Sequence, residues 1–229
     1  MKNENSLWGC RQIADELEKL GINLHHSTVN RIIQNFRKKG KISVSGSWSR
    51  FLKTHWDSLY GMDFMTIDTI FGKRLYLLIV LKLKTREIHY WDLTEHPTTE
   101  FVRQRIIEIQ DQNPEGKYLI HDNAPQFTTI DYQNYGINGV NTSVAAPNMN
   151  AFTERVIGTI RREALDHFLL FSERQTRNVL SEYIEYYNQY RPHQGIECIP
   201  AGRKSAGDGK ILKLPILSGL HHHYYRSSA

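Results

Sequence analysis

Three carboxylates occupy positions where they could act on one substrate. Asp63 lies inside a run of alternating apolar and polar residues, Asp122 directly follows a short apolar run, and Glu154 falls in the first turn of a strongly periodic helix. Acids drawn together repel one another, and their pKa values rise unless a cation neutralises them. Mg²⁺ or Mn²⁺, which accept carboxylate oxygens and keep water positions open, are the fitting cations. Two such ions would activate a water or a 3′-hydroxyl and stabilise the leaving oxygen of a phosphodiester. Asp68, five residues after Asp63, is the alternative first acid; Asp63 is preferred because apolar neighbours place it within the strand, whereas Asp68 sits near the turn. Each acid also has an ordinary explanation: Asp122-Asn123 before Ala-Pro reads as a capped turn, and an acid in a first helical turn is common helix-dipole chemistry.

The helix that carries Glu154 organises the rest. It belongs to the stretch APNMNAFTERVIGTIRREALDHF, residues 146–168, where Pro147 and Asn148 read as a turn and Asn150 as an N-cap. Phe152, Val156, Ile160, Ala164 and Phe168, with Ile157 beside them, form one apolar stripe. Glu154, Gly158, Arg161 and Arg162 share a different face: an acid, a glycine that permits close approach, and two guanidiniums suited to phosphate oxygens.

The elements that must position these groups are legible in order. An amphipathic helix over residues 7–20 is stopped by Gly21, and a second, basic helix begins after Ser27 as its N-cap and ends at Gly40. Its apolar side is Val29, Ile32, Ile33 and Phe36, while Arg31, Asn35 and Lys38 point elsewhere. Two short helices joined by a tight turn have the shape of a helix-turn-helix, which would place Arg31, Asn35 and Lys38 against DNA, although a generic helical hairpin has the same pattern. A Ser/Gly-rich linker covers residues 43–55. Strands are expected at 59–70, 75–83 and 87–93 as an antiparallel meander, the middle one apolar throughout and hence central. A helix over 98–112 follows, with Phe101, Val102, Ile106 and Ile109 inward, then a strand at 117–120, a weaker one at 139–144, and a last helix over 174–190. The pattern from residue 202 onward assigns no element; His221, His222 and His223 lack a second ligand cluster and read as a solvated tail or a contact with Tyr224 and Tyr225.

The chain has 229 residues, room for one substantial domain and a small one, with enough apolar content for a core and no run of membrane-spanning length. Lysine and arginine number 29 against 24 acids, and the pI is about 9.1, a balance that favours a polyanionic partner. Cys10 and Cys198 have no metal-type spacing and read as thiols in a reducing cytosol, and the polar start of the chain lacks a signal-peptide core.

The order of MDFMTIDT, HDNAPQFT, NAFTERVIGTIRRE and YNQYRPHQGI resembles the integrase catalytic core of insertion-sequence transposases and retroviral integrases, from about residue 56 to 196. The resemblance implies an α/β fold, a ribonuclease-H-like mixed five-stranded sheet flanked by helices, preceded by a small helix-turn-helix segment at residues 1–42 and followed by a tail at 197–229. It implies a DNA transposase/integrase that performs metal-dependent DNA cleavage and strand transfer, with Asp63, Asp122 and Glu154 as a triad holding two Mg²⁺ or Mn²⁺ ions. Arg161 matches a basic position that contacts DNA near the cut, and Arg162 stands beside it. Tyr186, Asn188, Arg191 and Pro192 match the closing YN-x-x-RPH segment, a structural or DNA-side element. Thr66, Thr69, His121 and Gln126 are candidates to orient ligands or touch DNA, and each type is more often structural. The implied partners are double-stranded DNA (element ends and target) and further copies of the chain, in the cytoplasm and, in a bacterium, on the nucleoid.

Two departures stand out. The step from Asp122 to Glu154 is shorter than the family pattern, the shortfall falling at residues 128–139, where a helix would stand; the N-terminal region is also short, as in a fragment or a degenerate copy. A catalytically decayed transposase that only binds DNA is therefore the alternative expectation. A nuclease acting on RNA–DNA hybrids shares the fold and metal chemistry but has no evident use for the helical pair.

Overall fold

A computed structural model describes residues 9–38, 54–112, 117–142, 151–193, 196, 199–202 and 208–227, which belong to two compact units, Met1–His55 and Trp56–Ala229. The predicted linker falls mostly outside the described residues, as do Gly40 and the Pro147–Asn150 turn.

In the first unit, α1 (Cys10–Lys19) and α2 (His26–Lys38) pack through Ile13, Ala14, Val29 and Ile33, with Cys10, Leu17 and Leu24 around them. Gly21 ends α1 with φ at +78°, and Gly21 and Ile22 donate back to the carbonyls of Glu18 and Leu17, the two bonds of a Schellman cap. Two expectations change. Helix α2 begins at His26, so Ser27 lies in its first turn; the His25 carbonyl receives Thr28, and Ser27 Oγ turns to His25 Nδ1 at 2.8 Å. Ile32 and Phe36, expected inside, are 39% and 42% exposed, because two helices bury only the narrow stripe where they touch.

The second unit is built on a five-stranded sheet of order β3-β2-β1-β4-β5, with β1 Leu59–Asp68, β2 Arg74–Lys82, β3 Ile88–Thr94, β4 Lys117–His121 and β5 Ile137–Asn141. The first three strands are antiparallel, while β4 and β5 run parallel to β1. This is the expected ribonuclease-H-like arrangement. Residues Leu77 to Leu81 of β2 are fully buried, as a strand covered on both faces must be. Tyr60, Met62, Leu78, Val80 and Leu119 face one layer, made by Val102, Ile106 and Ile109 of α3 (Thr99–Gln112), Phe127 of α4 (Pro125–Thr128) and Tyr132. Against the other face lie α5 (Ala151–Glu163) and α6 (Glu173–Gln189). Asp92 on the edge strand β3 accepts from Arg105 of α3 at 2.6 Å and Arg177 of α6 at 2.7 Å, so one carboxylate ties both helical layers around the sheet edge. Among the described residues no helix is long and apolar enough to cross a membrane.

The shortened connection at residues 128–139 is ordered. Helix α4 leads into a 3-10 turn, Tyr132–Tyr135, capped by the Asp131 side chain and closed by Gly136 at φ +68°. The Tyr132 ring lies on Gly139 of β5, where an added Cβ would come within 2.3 Å of it, so the ring covers that strand where it has no side chain.

The unassigned tail is a hairpin of β6 (Ile211–Ile216) and β7 (His221–Arg226) that packs on α6 through buried Ile216 and Leu217. Its histidines meet tyrosines: His222 lies near Tyr224 at 6.2 Å and His223 stacks on Tyr225 at 5.7 Å, the expected contacts. His221 also stacks on Tyr186 at 5.0 Å and His223 on Tyr190 at 4.1 Å, and His221 Nε2 lies 2.7 Å from the Glu163 carbonyl.

The YNQYRPH segment closes the same end. The Asn188 side chain donates to the Ile88 carbonyl and accepts its N–H, so it pairs with the β3 edge as a neighbouring strand would. Arg191 grips Glu163 at 2.6 and 2.8 Å, and Tyr183 donates to the same carboxylate at 2.7 Å. Tyr187, rather than Tyr186, is the tyrosine beneath the Arg191 guanidinium. Burial pushes the Glu163 carboxyl up, but the hydrogen bonds from Arg191 and Tyr183 outweigh it and hold the group below the usual carboxylate range. A carboxyl with a depressed folded-state pKa stabilises above its unfolded pKa, about 4.3, and loses that contribution as pH falls through its folded value. Arg191→Ala is therefore expected to cost about 2–4 kcal/mol at neutral pH and less in acid below about pH 4. Thermal melts of both proteins across that range check the sign; an equal gap at pH 7 and pH 3 contradicts it.

Candidate active site

Strand pairing positions the two aspartates. Leu59, Tyr60 and Gly61 of β1 stand opposite Tyr118, Leu119 and Ile120 of β4. The pairing stops there and β4 ends at His121; carried two residues further, the same register would bring Asp122 toward Asp63 as the chain leaves β4. Alternation puts both acids on the face shared with Gly61, opposite the layer packed on Tyr60 and Met62. Both are half-buried. One Asp63 oxygen accepts the Phe64 N–H at 2.8 Å, and Asp122 Oδ1 accepts the Ala124 N–H at 3.0 Å, an Asx turn that fixes the carboxylate as the chain leaves β4.

Gly61 is what seats α5 on that face. A Cβ added there would meet Thr153 Oγ1 at 2.4 Å, so the helix crosses the strand where the strand has no side chain. Thr153 is fully buried and Glu154 follows it. Eight residues along α5, the Arg161 guanidinium donates to the Thr66 carbonyl at 2.9 Å, so the helix runs beside β1 past Asp63. Glu154 is exposed and makes no ion pair among the described residues. Val156, Ile160 and Ala164 of the expected stripe are buried, Phe152, Ile157 and Phe168 only partly, and Thr153 and Thr159 join the buried side.

Asp68 stands apart. Five residues from Asp63, it points to the opposite face, at the far end of β1, and pairs with Arg74 at 2.8 Å. The Arg74 hydrogen bond lowers its pKa against a smaller opposing effect of burial. Thr69 is structural: its hydroxyl bonds the Lys73 carbonyl and amide across the β1–β2 turn. His121 is buried against Tyr132 at 4.9 Å, with Nδ1 on the Asp122 carbonyl. Thr66 enters through its backbone carbonyl, and Gln126 is half-buried on α4. Arg162 lies over Gly158, where an added Cβ would come within 3.0 Å of its Nη1. Arg31 and Asn35 are exposed on α2, in the other unit, and the Lys38 side chain lies outside the described residues.

Among the described residues, no three His, Cys, Asp or Glu side chains are gathered closely enough to hold a metal ion. The sheet places the aspartate pair and the first turn of α5 at one edge without closing a three-ligand cluster. The donor chemistry still fits a hard divalent cation, because Mg²⁺ is commonly held by one or two carboxylates, with water and substrate phosphate completing its shell. Gly61 and Thr153 escape a reading based on acids and bases; a lone glycine within a strand, a mark of close backbone approach, is the signal that points to them.

Comparison with known proteins bears on the family and the fold. Residues 135–200 match the family model described as an integrase core domain. The chain is 27% identical to the putative transposase InsK of insertion sequence element IS150 from Escherichia coli K12, over 80% of this chain and 72% of that protein. It is 24% identical to an uncharacterized protein of insertion element IS476 from Xanthomonas euvesicatoria, over 87% of this chain but 60% of that protein, so it spans well under the full length of this relative. In fold it is similar to the HTLV-2 integrase catalytic core domain solved in complex with magnesium, with a TM-score of 0.51, 12% identity, and coverage of 63% of this chain and 94% of that one. Residues 135–200 thus match an integrase core domain, and the chain resembles insertion-sequence transposases in sequence and a retroviral integrase catalytic core in fold.

Proposed function

We propose that this chain acts as a DNA transposase or integrase, cutting DNA and transferring the freed 3′-OH end to a target through Asp63, Asp122 and Glu154. The observation that supports this reading is the β1–β4 pairing of Gly61 with Ile120, two residues before Asp63 and Asp122, at the point where Gly61 admits the helix bearing Glu154. Asp63 and Asp122 would hold the divalent ions, Mg²⁺ or Mn²⁺, with Glu154 completing the set. When bound, such ions supply Lewis-acid activation of the nucleophile and charge for the leaving oxygen. The chain's own groups do the positioning: the sheet fixes both aspartates, and Arg161, already held on the Thr66 carbonyl, keeps further N–H groups for a phosphate. Arg31, Asn35 and Lys38 would serve double-stranded DNA from the helical pair, with Arg162 beside Arg161 on α5. Two element ends need two active sites, so the working form would be a homo-oligomer, and its setting the cytoplasm or nucleoid.

The ungathered third carboxylate favours one other reading, a decayed copy that binds DNA without cutting it. The deciding experiment is an oligonucleotide strand-transfer assay on the element ends flanking the coding region, with Mg²⁺ or Mn²⁺, comparing wild type and Asp122→Asn. Metal-dependent joined products that vanish in the variant are expected. Binding of the same ends with no product in any metal would favour the decayed copy.

A further inference from the structure

A second, basic cavity lies on the far flank of α5 from the aspartates. It has a volume of about 710 Å³ and is bounded by α5, the C-terminal end of α6 and the β2–β3 turn. Phe152, Arg155 and Thr159 line it from α5, Arg191 and His193 from beyond α6, and Arg86 from the turn. No acid is among the described residues that line it. Arg191 is committed to Glu163, which leaves two guanidiniums without an ion pair among the described residues. Arg86 lies 3.6 Å from the centre of the Phe152 ring, and Arg155 lies 5.9 Å from the same centre, so two like charges share one aromatic ring. Arg86 Nη1 is buried with no hydrogen-bond partner, and a buried charged donor left unmade is costly. Burial lowers the Arg86 pKa, and the nearby Arg155 charge adds to that. Arg86 is also held at φ +63°, an uncommon conformation for a side chain of its size.

A guanidinium with an unmade N–H, a second one near the same aromatic ring and no acid among the described lining residues describe an anion site. Glu154 and Arg155 point to neighbouring sides of α5, and the helix body stands between the cavity and the aspartates. A helix with its side chains is about 10–12 Å across, and a DNA strand advances about 3.4 Å per nucleotide. The geometry points to the Arg86–Arg155 cavity as a seat for a backbone phosphate of the DNA strand that straddles α5, about three nucleotides from the phosphate at the aspartates. This assignment rests on the DNA-transfer reading above, which places the substrate strand at the aspartates.

The test is the salt dependence of binding of an element-end duplex, measured for wild type, Arg155→Gln and Arg86→Gln/Arg155→Gln, with methylphosphonates placed singly along the strand. Each lost phosphate contact lowers the slope of log affinity against log salt by about 0.9. The expected slope is lower by about 1 for the double variant, which loses the one phosphate contact, and by a measurable part of that for Arg155→Gln. Neutralising the phosphate about three nucleotides from the joining site should weaken wild type and leave the double variant unaffected. Arg155 is exposed, so Arg155→Gln keeps the question decidable even if loss of Arg86 disturbs folding. Wild-type binding with an unchanged slope in folded Arg155→Gln overturns the cavity assignment and leaves the transposase reading standing. Absence of DNA binding by the wild-type chain overturns both.

Discussion

Glu154→Gln is expected to lower DNA strand joining at least about 10³-fold while leaving duplex binding within about twofold of wild type. Glutamine keeps the size and helix position of the side chain and removes its charge. Glu154 is exposed at the start of α5 and makes no ion pair among the described residues, so the fold loses little when that charge goes. What is lost is the third anionic donor at the edge toward which the register leads Asp63 and Asp122. Phosphate contacts at Arg161 and in the Arg86–Arg155 cavity do not involve Glu154, so binding is expected to persist. The measurements are joined-product yield at saturating DNA, duplex affinity, and the melting temperature of each protein. Joining at the wild-type rate by the folded variant removes Glu154 from the chemistry, and with it the three-acid reading.

Gly61→Ala is the second large effect, and it acts through geometry. The new Cβ would stand 2.4 Å from Thr153 Oγ1 and 3.4 Å from Leu83 Cδ2, and Thr153 is fully buried, so α5 must shift outward. Overpacking of this kind costs about 1–3 kcal/mol. The displaced helix carries Glu154 with it, and misplacing a reacting group by about 1 Å costs on the order of a hundredfold in rate. Thr153→Ala supplies the control. It deletes the clashing Oγ1, which has no hydrogen-bond partner, and leaves the Thr153 Cβ at 3.8 Å from the new methyl, ordinary van der Waals contact. Gly61→Ala/Thr153→Ala is therefore expected to recover most of the stability and joining activity lost in Gly61→Ala. Melting temperatures and joining rates for the four proteins of the cycle give the coupling directly. A double variant no better than Gly61→Ala would mean that the helix is seated by something other than this contact.

Local patterning determined much of the chain. The alternation through Asp63, the unbroken apolar run of β2 and the four-residue stripe of α5 each follow from the period of one element, so the strands, the helices and the residues on each face are legible from spacing alone. Preference for Asp63 over Asp68 came the same way, and the structure sets Asp68 on the other face, paired with Arg74. The ends of elements were less legible: α2 starts before its expected cap, and Phe36 lies half out of a helical pair too small to cover it. Tertiary structure alone decided the rest. That Ile120 stands beside Gly61, two residues before the aspartates, depends on which strands pair and in which register, a relation between segments far apart in sequence. That Tyr132 covers Gly139, that His221 and His223 stack on tyrosines of α6, and that Arg191 belongs to Glu163 depend on which surfaces meet once the sheet is covered. A sequence records the periodicity of each element because that periodicity is local; contacts between elements arise only when their apolar faces are buried together, and no spacing along the chain encodes them.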